Sequence, residues 1–105
     1  MTNSTILTIY TTISNEEEAG KLIRTLLEKR RIACGVSWEA NSQYNWKGKA
    51  VNDSEFVVFL KSSIRFENSL MEEIEKIHPY DTPAILMNET KVNRGYFEWV
   101  EGEVK

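Results

Sequence analysis

The chain has 105 residues, and 41% of them are hydrophobic, so we predict a single domain, residues 1–105, with a modest core. A formal net charge of −3 argues against a nucleic-acid-binding surface, which needs clustered positive charge. The longest uninterrupted apolar run, residues 56–60, is too short to cross a bilayer, and no signal peptide is visible. One cysteine cannot form an internal disulfide, so we expect a cytoplasmic protein. The charge and the short apolar runs together predict no nucleic-acid partner and no membrane partner.

The first half of the chain is predicted to form a strand, a helix and the first strand of a hairpin. Residues 5–12 are β-rich, and Ser14 with Glu17 forms a capping box that predicts a helix start. An apolar stripe follows at helical spacing: Ala19, Leu22, Ile23, Leu26 and Leu27. Strand character then runs through residues 32–46, with a kink expected at Gly35.

The second half repeats the pattern of strand, helix and strand. Residues 56–60 are predicted to be a buried strand, and Ser63 is the expected N-cap of a second helix. That helix carries an apolar stripe: Phe66, Leu70, Ile74 and Ile77. Residues 83–87 and 94–100 predict a last strand and a short C-terminal helix. The order β-α-β-β-α-β is typical of the α+β ferredoxin-like plait, an antiparallel sheet with both long helices on one face.

Two short segments are the most distinctive parts of the sequence. In residues 44–49, the aromatic residues Tyr44 and Trp46 alternate with polar residues and are followed by Gly48, as expected at the tip of a β-hairpin. In residues 78–83, His-Pro-Tyr-Asp-Thr-Pro, two prolines stiffen the backbone and hold an imidazole, a phenol and a carboxylate close together.

The hairpin is too long for a domain of this size. Fifteen residues, 32–46, would span roughly 50 Å as a strand, whereas a compact domain of about 100 residues is only roughly 35 Å across. The hairpin must therefore overhang, and its exposed edges and aromatic side chains predict contact with another subunit.

Together with Arg31-Ile32-Ala33-Cys34 and Lys61-Ser62, the two segments resemble the CutA family of small divalent-cation tolerance proteins, from about residue 7 to 99. The resemblance implies a homotrimer in which the long central hairpins are shared between subunits. It also implies a role in tolerance of, or response to, divalent cations such as copper. An unknown protein partner is compatible with this role.

The family name raises the question of copper ligands. Cu(II) favours imidazole, and Cu(I) favours thiolate, so His78 and Cys34 are the candidate metal residues for weak binding of Cu(II) or another divalent cation. Some relatives carry a further cysteine and histidine where this chain has Thr11 and Ile77. Alternatively, Cys34 is a plain core thiol and His78 caps the end of the second helix.

A cleft between subunits is the second candidate site. The family's shared residues correspond here to Trp46, Lys61, Tyr80 and Asp81, with Lys61 as an anchor for an anionic group and Trp46 as an apolar wall. Asp81 stands where relatives most often have glutamate. The alternative interpretation makes Trp46 an interface anchor and Lys61 with Asp81 an ion pair that locks subunits together.

Three function classes remain open at this point. One is a CutA-type cation-tolerance trimer, and another is a trimeric sensor or adaptor resembling the PII signalling proteins, with a small polar ligand in the inter-subunit cleft. The third, an enzyme using Cys34 or His78, ranks last because neither residue has a partner base or orienting group. We therefore expect a protein that is not an enzyme and that has no organic cofactor.

Overall fold

The computed structural model describes residues 4–105. Its elements in chain order are β1 (Thr5–Ile13), α1 (Glu16–Glu28), β2 (Cys34–Trp46), β3 (Lys49–Ser62), α2 (Glu67–Ile77), β4 (Ile85–Lys91) and α3 (Arg94–Glu103). The four strands form one sheet in the order β2-β3-β1-β4, and every neighbouring pair is antiparallel. The predicted ferredoxin-like plait is confirmed.

One face of the sheet packs against α1 and α2 and contains the main hydrophobic core. Eleven buried residues form it: Leu7, Ile9, Ile13, Ala19, Leu22, Leu26, Ile32, Val58, Leu60, Leu70 and Ile74. At Gly35 the pairing of β2 with β3 continues without interruption, so no bulge breaks the strand at the position of the expected kink. A Cβ atom there would lie 2.9 Å from the Ile23 side chain and 3.0 Å from that of Leu60. Glycine is therefore required for α1 to approach the sheet.

Several local predictions need correction. The N-cap of α1 is Asn15, whose Oδ1 accepts a hydrogen bond from the Glu18 backbone N–H at 2.9 Å, so the predicted Ser14 capping box is wrong by one residue. Ser63 caps a single turn of 3-10 helix, Ile64–Phe66, that precedes α2. Ile77 is 39% exposed and does not complete the apolar stripe. The second hairpin strand is longer than the apolar run that predicted it, and the last strand covers Ile85–Lys91 where residues 83–87 were predicted.

The hairpin of β2 and β3 closes with a two-residue loop. Trp46 pairs with Lys49, while Lys47 and Gly48 adopt positive φ angles of 50° and 80°, as a type I′ turn requires. The molecule measures 50 × 27 × 23 Å, so the predicted overhang is present.

Candidate functional site

A cavity of about 500 Å³ lies between the outer half of the hairpin and the segment that joins α2 to β4. Nine residues line it: Thr12, Ser42, Tyr44, Trp46, Glu55, Tyr80, Asp81, Thr82 and Ala84. The structure therefore brings together three of the four predicted cleft residues, Trp46, Tyr80 and Asp81. Because its lining also includes Glu55 and Thr12, where the hairpin leaves the domain, we call this space the hairpin-base cavity.

Strand alternation explains why these side chains converge. Ser42, Tyr44 and Trp46 are spaced by two residues along β2 and so point to the same face of the sheet. Glu55 on β3 pairs with Ala40, which belongs to the same alternating series. This face is the one opposite to α1 and α2.

The most buried polar contact in the cavity joins β3 to the α2–β4 segment. Glu55 is only 8% exposed, and its Oε2 accepts a hydrogen bond from the Tyr80 hydroxyl at 2.7 Å. Burial of the phenol raises the pKa of Tyr80 well above its usual range, and the Glu55 carboxylate adds to this effect. Tyr80 is therefore a protonated donor at neutral pH.

Tyr44 experiences the same negative surroundings at the cavity wall. Its hydroxyl lies 3.5 Å from Asp53 Oδ2. Partial removal of the phenol from water raises the pKa of Tyr44, and the carboxylates of Asp53 and Glu55 raise it further. The field around the cavity thus favours positive over negative charge.

His78 anchors the α2–β4 segment from behind the cavity. It is buried, its Nδ1 accepts a hydrogen bond from the Tyr80 backbone N–H at 3.1 Å, and its Nε2 donates to the Thr12 carbonyl oxygen at 2.9 Å. A neutral ring protonated on Nε2 satisfies both bonds. Burial lowers the pKa of His78, although the bond to Thr12 and the carboxylates of Glu55 and Glu18 act in the opposite direction. His78 is the C-cap residue of α2, as the alternative interpretation predicted, but it caps through its backbone N–H, which donates to the Ile74 carbonyl oxygen at 2.9 Å, and not through the imidazole.

Lys61 and Cys34 lie in a different part of the chain. They pair with each other across β2 and β3, six residues along β3 from Glu55, which corresponds to roughly 20 Å. The Lys61 ammonium lies 5.3 Å from the centroid of the Tyr96 ring. Within residues 4–105 no ion pair joins Lys61 to Asp81. A single chain therefore does not place Lys61 at the cavity.

The copper ligands that the sequence suggests do not come together in one chain. His78 bonds to Thr12 on β1, whereas Cys34 is half-buried at the start of the edge strand β2. Across the described range, 4–105, no three His, Cys, Asp or Glu side chains form a group that could hold a metal ion. Both ring nitrogens of His78 already make hydrogen bonds, so a metal ion would have to displace one of these bonds.

Glu55 is the site residue that sequence analysis missed. A two-residue loop at Lys47 and Gly48 fixes the hairpin register, and counting outward from it pairs Glu55 with Ala40. That count places the carboxylate on the face of Tyr44 and Trp46. The register was thus the available signal, whereas the contact with Tyr80 depends on tertiary structure.

Comparison with known proteins identifies the family. Residues 7–103 match the family described as CutA1 divalent ion tolerance protein. This chain belongs to that family. A Thermotoga maritima divalent-cation tolerance protein CutA is 41% identical over 100 residues, covering 94% of this chain and 99% of the relative.

Solved structures agree with the fold. The crystal structure of CutA1 from Pyrococcus horikoshii has a TM-score of 0.91 at 38% identity and covers 94% of this chain and 98% of that one. A Nostoc protein described as the PII-like protein CutA has a TM-score of 0.88 at 26% identity, covering 94% and 97% of the two chains. No helix within residues 4–105 is both long and apolar enough to span a membrane.

Proposed function

We propose that this CutA-family chain forms a homotrimer that serves divalent-cation tolerance by binding a small polar ligand at the hairpin-base cavity, and that it is not an enzyme. The relatives' names support the cation-tolerance role. The observation that carries the proposal is an exposed apolar sheet face that continues into the cavity.

We call this surface the open face, because neither α1 nor α2 covers it. One row of directly paired residues crosses all four strands: Leu86, Tyr10, Phe59 and Val36. Leu86, Val36 and Tyr10 are 49%, 43% and 36% exposed, and Trp38 beside this row is also exposed. A contiguous apolar patch of this kind marks an interaction surface. Self-association through the open face would bury it.

The overhanging hairpin supports the same assembly. Its outer half carries Tyr44 and Trp46 as exposed aromatic side chains, and its strand β2 is an unpaired edge. Unpaired edges favour pairing with another chain. Subunits that meet at the open face would cover the hairpins and enclose the cavity on its solvent side.

The site supports binding more than catalysis. Its polar groups Glu55, Tyr80 and His78 bond to each other or to backbone and hold the α2–β4 segment in place. The cysteine lies elsewhere, paired with Lys61. A nucleophile within reach of a base is what an acyl- or group-transfer site needs. We also place the protein in the cytoplasm, where one unpaired cysteine is stable as a thiol.

Copper binding at Cys34 and His78 stays a prediction, and we propose that it is weak. His78 would have to give up the hydrogen bond to Thr12 or to Tyr80 before a ring nitrogen could reach a metal ion. That loss costs about 0.5–1.5 kcal/mol per bond. Relatives named for cation tolerance need not bind the cation tightly themselves.

Native mass spectrometry of metal-free protein titrated with Cu(II) and then Zn(II) tests both parts. We expect trimers throughout, with no metal retained stoichiometrically at micromolar metal. Uptake in steps of three that disappears in His78→Ala would contradict weak binding. A mass of one chain would contradict the trimer.

A Trp46→Ala variant separates the two roles considered for that residue. If Trp46 is a wall of the cavity, the variant remains trimeric and loses ligand binding. Trp99→Ala is the matched control, because Trp99 is similarly exposed on α3 and does not line the cavity. Dissociation of Trp46→Ala alone would assign Trp46 to the interface.

The alternative candidate is a PII-like signalling or adaptor trimer with an unidentified protein partner. The Nostoc neighbour described as PII-like supports it. The hairpin loop here has only two residues, Lys47 and Gly48, whereas PII proteins use a long loop at this place. Ligand-dependent changes in amide exchange at the hairpin would favour signalling over simple storage of the ligand.

A further inference from the structure

We infer that the hairpin-base cavity takes a small organic cation, held between its aromatic walls and the buried Glu55 carboxylate. The inference rests on the proposed function in one respect, because it takes this cavity as the ligand site. The inferred ligand has the opposite charge to the one expected from the sequence, which predicted that Lys61 would bind an anionic group.

The charged residues of the cavity have a single sign. Glu55 and Asp81 are the two ionisable acids among the nine lining residues, and no Lys or Arg is among the nine. Asp53 adds a third carboxylate beside Tyr44. Lys61, which the sequence assigned to a cleft between subunits, is roughly 20 Å from Glu55 along β3 of the same chain. An anionic ligand would therefore meet like charge.

Glu55 gives the strongest indication of a cationic ligand. The side chain is more than nine-tenths buried, yet within residues 4–105 it makes no ion pair. Among the described residues, the Glu55 carboxylate accepts one hydrogen bond, from the neutral hydroxyl of Tyr80. Buried carboxylates are costly and are almost always paired with a cation. A positively charged group in the cavity would supply the missing counter-charge.

The aromatic walls suit the same ligand. Tyr44, Trp46 and Tyr80 present three ring systems to the cavity, and an organic cation is attracted to such rings, most strongly to indole. The Lys47 ammonium lies 6.0 Å from the centroid of the Trp46 ring, so this indole already attracts one cation of the chain itself. An alkylated ammonium ion would gain both ring contact and charge neutralisation.

A bare metal ion suits the cavity less well. Divalent metals take four to eight donor atoms at about 2–2.6 Å, whereas only two carboxylates are among the nine residues that line the cavity. Its volume of about 500 Å³ lies in the range of small-molecule pockets. The ligand class is therefore molecular and cationic.

Three probes of matched shape test the inference on the intact wild-type protein. Choline is a cation, 3,3-dimethylbutan-1-ol is its neutral isostere, and 3,3-dimethylbutanoate is an anion of similar shape. Isothermal titration and tryptophan fluorescence report binding. We expect choline to bind at least about tenfold more tightly than the alcohol, and the anion more weakly than both.

Variants locate the binding. Glu55→Gln keeps the shape and the hydrogen-bond acceptor but removes the charge, and we expect choline affinity to fall by about tenfold while the alcohol is unaffected. Glu39→Gln is the matched control: it changes the same residue type in the same hairpin, at a position that does not line the cavity. If Glu55→Gln fails to assemble, Asp81→Asn, at an exposed position, tests the charge preference instead.

Equal affinity for choline and the alcohol would overturn the inference, as would choline binding that Glu55→Gln and Asp81→Asn both leave unchanged. Tighter binding of the anion would also overturn it, while leaving the cavity as the ligand site of the proposed function. If none of the three probes binds to a protein that is trimeric, the cation assignment fails and the trimer stands.

Discussion

The two faces of the sheet are made by alternate residues of the same strands, yet α1 and α2 cover one of them, while the other keeps an exposed apolar row. We call the face that packs against α1 and α2 the closed face. Leu60 on this face lies beneath the two helices and is fully buried. Its neighbour Phe59 points to the open face, where it pairs with the half-exposed Tyr10 and Val36. Apolar side chains thus lie on both faces, and on the open face one chain buries Ile6 and Val57 but leaves the apolar row exposed.

The difference assigns separate tasks to the two faces. Helices on the closed face bury enough apolar surface to form the plait. The open face carries the exposed apolar row and, where the hairpin extends beyond the domain, the cavity with Glu55, Tyr80 and Trp46. Substitutions on the closed face should therefore change stability, and substitutions on the open face should change assembly and binding.

The largest effect is expected from a cavity in the closed face. Leu60→Ala should lower the free energy of unfolding by about 2–5 kcal/mol, because the leucine is fully buried. Leu86→Ala on the open face is the matched control: Leu86 is 49% exposed in the single chain, so it should lose much less, and its loss should depend on protein concentration because it acts through the interface. Chemical denaturation at equal protein concentration measures both. Equal losses would contradict the distinction between the faces.

Assembly should respond to a charge on the open face. Tyr10→Lys places an ammonium in the middle of the apolar row, so we expect folded monomers at micromolar concentration, by light scattering with circular dichroism as the check on folding. Leu27→Lys introduces the same charge at an exposed apolar position of α1 and should remain trimeric. A trimeric Tyr10→Lys protein would remove the open face as the interface.

A smaller effect, which is a gain in stability, is expected from a substitution of Thr11 on the closed face. Its buried Oγ1 has no hydrogen-bond partner among the described residues, so Thr11→Val should raise the free energy of unfolding by about 1 kcal/mol. Thr8→Val should instead be destabilising, because Thr8 Oγ1 bonds to Thr90 Oγ1 at 2.8 Å. Thermal and chemical unfolding compare the two. Stabilisation by both substitutions would mean that the Thr8 bond contributes nothing.

The smallest effect concerns pH and the segment behind the cavity. Burial lowers the pKa of His78 below its ordinary 6.5, so the unfolded chain binds the proton first as the pH falls. The contribution of the neutral imidazole to the free energy of unfolding has its full value above about pH 6.5 and declines as the pH falls below that. Unfolding free energies at pH 7.5 and 5 should therefore differ more for the wild type than for His78→Gln. Parallel profiles would show that His78 is not held neutral.

The sequence predicted the order of elements, the hairpin and its overhang, because these depend on periodicity and turn chemistry. It also grouped Trp46, Tyr80 and Asp81, which the fold brings to one cavity. Within one chain Lys61 is separated from Glu55 by six residues of β3, so its place in a cleft between subunits depends on how copies of the chain pack together. The partners of His78 were equally inaccessible, because Thr12 is sixty-six residues away in the chain.

The central claim is that the open face is covered by two further copies of this chain. Light scattering of the wild-type protein beside Tyr10→Lys, from high nanomolar to micromolar concentration, tests it most directly. We predict three times the 12.2 kDa chain mass for the wild type and a single chain mass for the variant. A wild-type mass of one chain across that range, with the apolar row still exposed, would contradict the account.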